Sequence, residues 1–228
     1  MYSVIILAAG KGLRLNLGYN KVFYEIKNKT ILEYSVDFFL KDSSFTEIIV
    51  VINDKDKSQI KEILAGKNVK ITTGGITRQE SVYNGLKKAS NKYVLIHDGA
   101  RPFICKQDID LLKRTVLENA CVLAKKLKES IAKNSFGKLK KYINRDEYVF
   151  LQTPQAFMTE KIIKAYELAI KNNQTYSDDA SLYMQELEED VIIVDGNEFN
   201  IKLTTELDLR ILEAVLWLKS EFQKTFIL

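Results

Sequence analysis

Short, nearly uninterrupted apolar runs recur along the chain: Ser3–Leu7, Glu47–Ile52, Val69–Thr72, Tyr93–His97 and Val191–Val194. They are rich in β-branched residues and lack polar alternation, the pattern of strands covered on both faces in a parallel sheet. Segments with helical spacing fall between and after them: Ile31–Leu40, Ser81–Ala89, Gln107–Asn119, Thr159–Lys171, Ala180–Leu187 and Thr205–Phe222. Thr30 with Glu33, and Thr77 with Glu80, have the spacing of a capping box, in which hydroxyl and carboxylate satisfy each other's backbone N–H. Strands alternating with helices predict an α/β fold, a Rossmann-like open and mainly parallel sheet with helices on both faces.

The rhythm breaks between about 128 and 150. Lys133-Asn134-Ser135-Phe136-Gly137-Lys138 reads as a turn between two short extended pieces. An antiparallel β-hairpin is therefore expected as an arm inserted into a single domain spanning 1–228, a length that suits one domain with an elaboration. The stretch from Leu123 to Tyr142 is basic: Lys125, Lys126, Lys128, Lys133, Lys138, Lys140 and Lys141 are accompanied by one acid, Glu129. A solvated hairpin and a surface that draws in anions both fit. A nucleic-acid-binding module is the rival of a different class. Elsewhere, however, the 34 basic and 30 acidic residues are interspersed and the formal net charge is only +4, so no nucleic-acid partner is expected.

A hydrophobic content of 46% excludes a disordered chain. Two cysteines and one histidine exclude a disulfide scaffold, a four-cysteine zinc site and a poly-histidine metal centre. The N-terminal apolar run is too short to span a bilayer, and no window reaches the ~18 apolar residues of a membrane helix. A soluble protein of the reducing cytoplasm, without a membrane partner, is the expectation.

Candidate chemistry sits in the turns. The first strand runs into Leu7-Ala8-Ala9-Gly10-Lys11-Gly12-Leu13-Arg14. Its small residues admit a ligand close to the backbone, and its N–H groups can line a nest for phosphate oxygens. The spacing is neither that of a Walker loop nor that of the dinucleotide fingerprint. Gly74-Gly75-Ile76-Thr77-Arg78-Gln79-Glu80-Ser81-Val82 opens a helix, and Ile96-His97-Asp98-Gly99-Ala100-Arg101-Pro102-Phe103 follows a strand. Gln152-Thr153-Pro154-Gln155-Ala156-Phe157 reads as a polar loop before a helix, Ser177-Asp178-Asp179-Ala180 as a helix start, and Asn200-Ile201-Lys202-Leu203-Thr204 as a late loop. In an open parallel sheet, loops at the carboxyl ends of the strands share one crevice.

Six motifs in chain order, spanning residues 5 to 208, resemble those of the 2-C-methyl-D-erythritol 4-phosphate cytidylyltransferase family. They are Leu-Ala-Ala-Gly-x-Gly-x-Arg, Gly-Gly-x-x-Arg-Gln-x-Ser-Val, His-Asp-x-Ala-Arg-Pro-Phe, Thr-Pro-Gln-x-Phe, Asp-Asp-Ala and Asn-Ile-Lys-x-Thr. Relatives acting on ribitol 5-phosphate share several of them, and the Arg-Gln-x-Ser-Val form looks more like the methylerythritol branch. The resemblance implies a nucleotidyltransferase in which a substrate phosphate attacks the α-phosphorus of CTP and pyrophosphate leaves. It implies that Arg14 and Lys21 stabilise the transition state and that Lys202 and Arg145 hold the attacking phosphate. Ala8, Ala9, Gly10, Gly12, Gly75, Ser81 and Asp98 would bind the nucleotide. Asp98, Arg101, Ser130, Thr153, Ser177 and Asp178 would bind the acceptor. Mg²⁺ is implied as cofactor, held mainly by CTP phosphates and with no dedicated protein ligands. A homodimer through the arm is also implied, with Arg145 and Ser130 acting in the partner's site.

Beside these stand plainer readings. Arg14, Lys21 and Arg145 each have the look of a solvated charge, Asp98 that of a turn cap, and Asp178 and Asp179 that of helix-start acids. His97 is read as a packing or hydrogen-bonding residue, because transfer to an ionised phosphate needs no base. The chain departs from the family where Asn20-Lys21-Val22 replaces Pro-Lys-Gln, where Glu129-Ser130 replaces Asp-Thr, and where Ser177 stands for Thr. The lysine and both hydroxyls survive.

Overall fold

The computed structural model describes residues 1–10 and 18–225, with side chains as far as 217. In chain order the elements are β1 (Tyr2–Leu7), β2 (Glu25–Ile26), β3 (Lys29–Thr30), α1 (Ile31–Leu40), β4 (Phe45–Ile52), α2 (Lys57–Ile63), β5 (Lys70–Thr73), α3 (Arg78–Leu86), β6 (Tyr93–Asp98), α4 (Lys106–Thr115) and β7 (Cys121–Lys126). They continue with β8 (Ile131–Ser135), β9 (Lys138–Ile143), β10 (Val149–Met158), α5 (Thr159–Lys171), α6 (Asp179–Leu187), β11 (Ile192–Asp195) and α7 (Glu206–Thr225).

Seven strands form one sheet in the order β11-β7-β10-β6-β1-β4-β5. All neighbours run parallel except β10, which is antiparallel to both β6 and β7. Because side chains alternate across a strand, the runs of β1, β4 and β6 supply both faces, whereas those of β5 and β11, at the edges of the sheet, are largely exposed. Val4, Ile6, Ile48, Val50 and Leu95 pack with α1, α4 and α7, while Ile5, Ile49, Val51, Val94 and Ile96 pack with α3, α5 and α6. Thr30 and Glu33 form the reciprocal capping box of α1. At α3 only half of the expected box exists: Thr77 accepts the Glu80 N–H, but the Glu80 carboxylate instead takes the Ile76 N–H, at 2.7 Å. The diglycine turn brings that donor within reach.

One expectation is corrected here. Gln152–Phe157 is not a loop but the inner half of β10, a strand in the middle of the sheet. Gln152, Thr153 and Gln155 are buried and hydrogen-bonded, so their polarity signals internal partners rather than solvent. The pairing of β10 with β7 shifts register between Leu151 and Gln155, and this irregularity accommodates Pro154. β7 is a further strand that the apolar runs do not pick out, since two lysines end it just before the arm.

The arm lies where the sequence placed it. β8 and β9 form a separate two-stranded sheet joined at Phe136–Gly137, leaving the main sheet after β7 and rejoining it at β10.

At the amino-terminal edge of the sheet, buried Glu47 ties three elements together. It accepts from Ser3 Oγ (2.5 Å), Lys70 Nζ (2.5 Å), and the N–H and Oγ of Ser90 (2.8 and 2.7 Å). Burial pushes its carboxyl upward, but Lys70, Ser3 and Ser90 outweigh that and bring it down to about 2, against 4.5 ordinarily. A depressed acid stabilises the fold above its unfolded value and loses that contribution as pH falls through the folded one. Glu47→Gln should therefore lower stability by roughly 1–3 kcal/mol at neutral pH, and the gap to wild type should close as pH drops from about 4.5 toward 2. Urea unfolding over that pH series checks it; a pH-independent gap would remove Glu47 from the acid response.

Candidate active site

The chain passes to one side of β1 to build β4 and β5, then returns to its other side as β6. That reversal opens a crevice beyond the carboxyl ends of the strands. The ends lie level, Leu7 pairing with both Val51 and Asp98, and Ile52 with Thr73. Antiparallel β10 brings Thr153 to the same edge, where its Oγ1 accepts the Asp98 N–H at 3.0 Å.

Asp98 is the centre of the crevice. Lys202 Nζ lies 2.8 Å from its Oδ2, Arg101 Nε 3.6 Å from the same oxygen, and Arg78 Nε 3.8 Å from Oδ1. Burial alone would raise its pKa; Lys202, Arg78 and Arg101 outweigh that and hold the carboxyl well below the usual carboxylate range. It stays ionised at neutral pH, and the surrounding cations exceed it in charge, which suits an anionic ligand.

The turn that follows is fastened throughout. Gly99 N–H donates to Leu7 O at 2.9 Å, and a Cβ on Gly99 would stand 2.9 Å from that oxygen, so the approach requires glycine. Leu203 N–H donates to Ala100 O at 2.9 Å, and Arg101 Nη1 to Asn200 O at 2.8 Å, which seats the loop carrying Lys202. Lys21 Nζ donates to Leu203 O at 2.5 Å, so Lys21 and Lys202 flank one stretch of backbone. Asn20 next to it reaches Ala8 O (2.7 Å), joining the first loop to the Lys21 segment.

On the other side of the crevice, Gly74 lies so close to Ala9 and Ser81 that a Cβ there would stand 2.9 Å from Ala9 Cβ and 2.7 Å from Ser81 Oγ. Gly75 N–H donates to Ser81 Oγ at 3.0 Å. Ala8, Ala9, Gly75, Ser81, Asp98, Arg101, Thr153, Lys21 and Lys202 therefore belong to one edge of the sheet. Gly10, exposed, ends the described part of its loop, and Gly12 and Arg14 lie outside the described residues.

Asp178 caps α6 in a capping box with Ser181, and its Oδ2 accepts from Gln155 Nε2 at 2.8 Å; Ser177 beside it is exposed. Ser130 and Arg145 lie at the base of the arm, both exposed. Arg145 donates to Lys128 O, and Lys128 pairs with Glu198 of the loop that leads to Lys202. No described contact joins either residue to Asp98 in the same subunit.

Two residues of the cluster, Arg78 and Tyr166, carry no role in the sequence, and Asp179 reads there only as a helix-start acid. Arg78 grips the fully buried Asp179 with two hydrogen bonds (3.0 and 2.7 Å), and Tyr166 Oη donates to the same carboxylate at 2.5 Å. The signal available was positional. Arg78 opens α3, where the helix dipole disfavours a cation, so its place there calls for anions nearby. Which anions they were only the packing of α3, α5 and α6 could decide.

His97 is fully buried between Arg101 O (3.0 Å) and Thr153 Oγ1 (3.2 Å), with the Phe39 ring against it. Burial pushes its pKa down to about 4, so the ring is neutral at physiological pH. It does not reach solvent, which agrees with the reading of it as a hydrogen-bonding residue.

The family model for IspD, 2-C-methyl-D-erythritol 4-phosphate cytidylyltransferase, matches residues 2–217. A protein of that name from Clostridioides difficile is 40% identical over 223 residues, covering 95% of this chain and 94% of the relative. One from Geobacillus kaustophilus is 38% identical over 221 residues, covering 94% and 96%. Among solved structures, the 4-diphosphocytidyl-2C-methyl-D-erythritol synthase of Anaerococcus prevotii superposes with a TM-score of 0.84 at 31% identity, covering 95% of this chain and 98% of that one. The cytidylyltransferase of Thermus thermophilus gives 0.81 at 29%, covering 93% and 97%.

Removing one partner of a buried ion pair strands the other charge, at a cost of about 3–5 kcal/mol. Arg78→Met should destabilise the protein by about 3 kcal/mol, and adding Asp179→Asn should restore more than half of that loss. A double-mutant cycle by urea unfolding measures both; additive losses would mean that the two side chains act independently.

Proposed function

This chain belongs to the 2-C-methyl-D-erythritol 4-phosphate cytidylyltransferase family, and we propose that it transfers CMP from CTP to 2-C-methyl-D-erythritol 4-phosphate, giving 4-diphosphocytidyl-2-C-methyl-D-erythritol and pyrophosphate. One observation supports the reading: the chain matches a relative 40% identical over nearly its whole length, and the described motif residues gather at one edge of the sheet, with a cationic surplus around Asp98.

In this reaction an oxygen of the acceptor phosphate forms a bond to the α-phosphorus of CTP as the bond to the β-phosphate oxygen breaks. Negative charge spreads over the phosphoryl oxygens, so catalysis is chiefly positioning and fixed positive charge. Lys21, and Arg14 with it, would face the triphosphate. Lys202 would exchange part of its pairing with Asp98 for the acceptor phosphate. Asp98 would then accept hydroxyl protons of ribose and acceptor, with Arg101 beside it. The small-residue loop Ala8–Gly10 and the Gly75–Ser81 turn would hold the nucleotide, and Ser177 and Asp178 would complete the acceptor pocket. Mg²⁺ fits as a group carried by the triphosphate, since the site's central carboxylate is already taken up by cations, and it would supply neutralisation of the leaving pyrophosphate.

The arm supports a homodimer. A lone two-stranded hairpin is marginal in water. This one sets Ala132 opposite Tyr142 and Asn134 opposite Leu139 on one face, with Phe136 fully exposed at the tip. A second copy covering that face would bring Ser130 and Arg145 to the partner's crevice, from the carboxyl edge where the arm emerges. Among the described residues no helix is long and apolar enough to cross a membrane. Cys105 and Cys121 are unbridged, which supports a cytoplasmic location.

Pyrophosphate release from CTP and Mg²⁺, with methylerythritol 4-phosphate and ribitol 5-phosphate run in parallel, tests the assignment. Turnover is expected with the first alone, and turnover only with ribitol phosphate would move the acceptor. Lys21→Ala should lower kcat by about a hundredfold or more, as loss of a charge aimed at the reacting phosphates does, with an unchanged circular dichroism spectrum. Near-normal turnover would remove Lys21 from the reaction. Mixing inactive Lys21→Ala and Arg145→Ala subunits should restore activity, because one site of each heterodimer is then intact. No recovery after verified subunit exchange would place Arg145 in its own subunit's site or outside any site.

A further inference from the structure

His97 and Thr153 form a hydrogen-bond chain whose proton positions follow from what each atom can do. Arg101 O only accepts, so the His97 Nε2 that lies 3.0 Å from it must carry the ring's proton. In a neutral imidazole the other nitrogen is then an acceptor. Thr153 Oγ1, 3.2 Å from Nδ1, must donate its only proton there. The same oxygen accepts the Asp98 N–H at 3.0 Å, and an N–H cannot do anything but donate. Every link is therefore directional: Asp98 N–H to Thr153, Thr153 to His97, His97 to Arg101 O.

The chain closes a loop. Its two ends are the backbone of Asp98 and of Arg101, the residues whose side chains meet in the crevice, and Arg101 N–H also donates to Asp98 O at 3.0 Å. Thr153 O accepts from Asn200 Nδ2 at 2.8 Å, and Asn200 O accepts from Arg101 Nη1 at 2.8 Å. One threonine on β10 is thus connected to Asp98, to Arg101 and to the loop that carries Lys202. His97, Thr153 and Asn200 are all buried, so no water competes for these bonds.

We infer that His97 and Thr153 are positioning residues: they fix the Asp98–Arg101 turn from behind, and the Thr153 hydroxyl, its proton already given to His97, has none to offer a substrate. Its contribution to acceptor binding is made through Asp98, Arg101 and Lys202. The kinetic consequence rests on the cytidylyltransferase reading; the hydrogen-bond chain does not.

His97 is the sole histidine of the chain, so selective ¹⁵N labelling reports its tautomer without ambiguity. The Nε2–H tautomer is expected in the unliganded protein at neutral pH. A dominant Nδ1–H tautomer, or a rapidly exchanging mixture, would overturn the chain. Thr153→Val keeps the shape and removes the hydroxyl. It should shift the Asp98 amide and the His97 Nδ1 resonances and lower kcat by about ten- to a hundredfold, the order that small misplacements cost. KM for CTP should change less than that for the acceptor. Thr153→Ser should restore kcat to within about threefold of wild type, since it returns only the hydroxyl. Wild-type kinetics and an unmoved Asp98 amide in Thr153→Val would sink the proposal. Should Thr153→Val fold poorly, His97→Gln, which retains one donor and one acceptor, is expected to keep more activity than His97→Leu, and equal activity of the two would count against it. If the wild type turns over neither acceptor, the functional reading fails while the spectroscopic readouts still judge the chain.

Discussion

Asp98 carries its charge at the end of β6, where solvent is nearly excluded, and each cation that keeps it ionised comes from a different place in the sequence. Arg101 comes from its own turn, Arg78 from the start of α3, and Lys202 from the loop before α7. An isolated buried carboxylate would be protonated or would unfold its surroundings. The requirement for three converging cations therefore constrains where α3, β6 and the late loop must end. Arg78 extends the constraint to α6, because the same guanidinium holds Asp179. Charge compensation and helix placement are thus two aspects of one arrangement.

The two edges of the sheet answer the same problem differently. At the amino-terminal edge, Glu47 is satisfied mostly by neutral donors and one lysine, which saturates the carboxylate and leaves a structural tie. At the carboxyl edge, Asp98 is surrounded by more positive charge than it can neutralise. The surplus gives that edge the character that suits an anionic ligand.

The arm stands beside the same crevice. It leaves β7 and returns to β10 at the edge where the crevice opens, so whatever covers its apolar face stands next to a crevice. Its other face sets Lys133 directly opposite Lys141. Like charges so placed repel, and anionic surroundings relieve that repulsion.

The apolar runs were enough to determine the class of fold. Five apolar runs with six helices between and after them admit little besides an α/β sheet, although only the three inner runs are buried on both faces, and the box at Thr30 and Glu33 marked the start of α1 to the residue. Ala8 and Ala9 after β1, and the turns after β5 and β6, stand out in the sequence because small residues and isolated charges follow directly on an apolar run, and the structure sets them at one edge of the sheet. β10 was not legible, because Gln152, Thr153 and Gln155 look like loop residues until their partners on β6, α6 and the Asn200 loop are in place. Nor was the pairing of Arg78 with Asp179, a hundred positions apart, or the direction of the proton between Thr153 and His97. Periodicity records which side of an element meets the core and is local to the sequence. Which polar group satisfies which, in a place water does not reach, is a property of three-dimensional neighbours, and only the tertiary structure decides it.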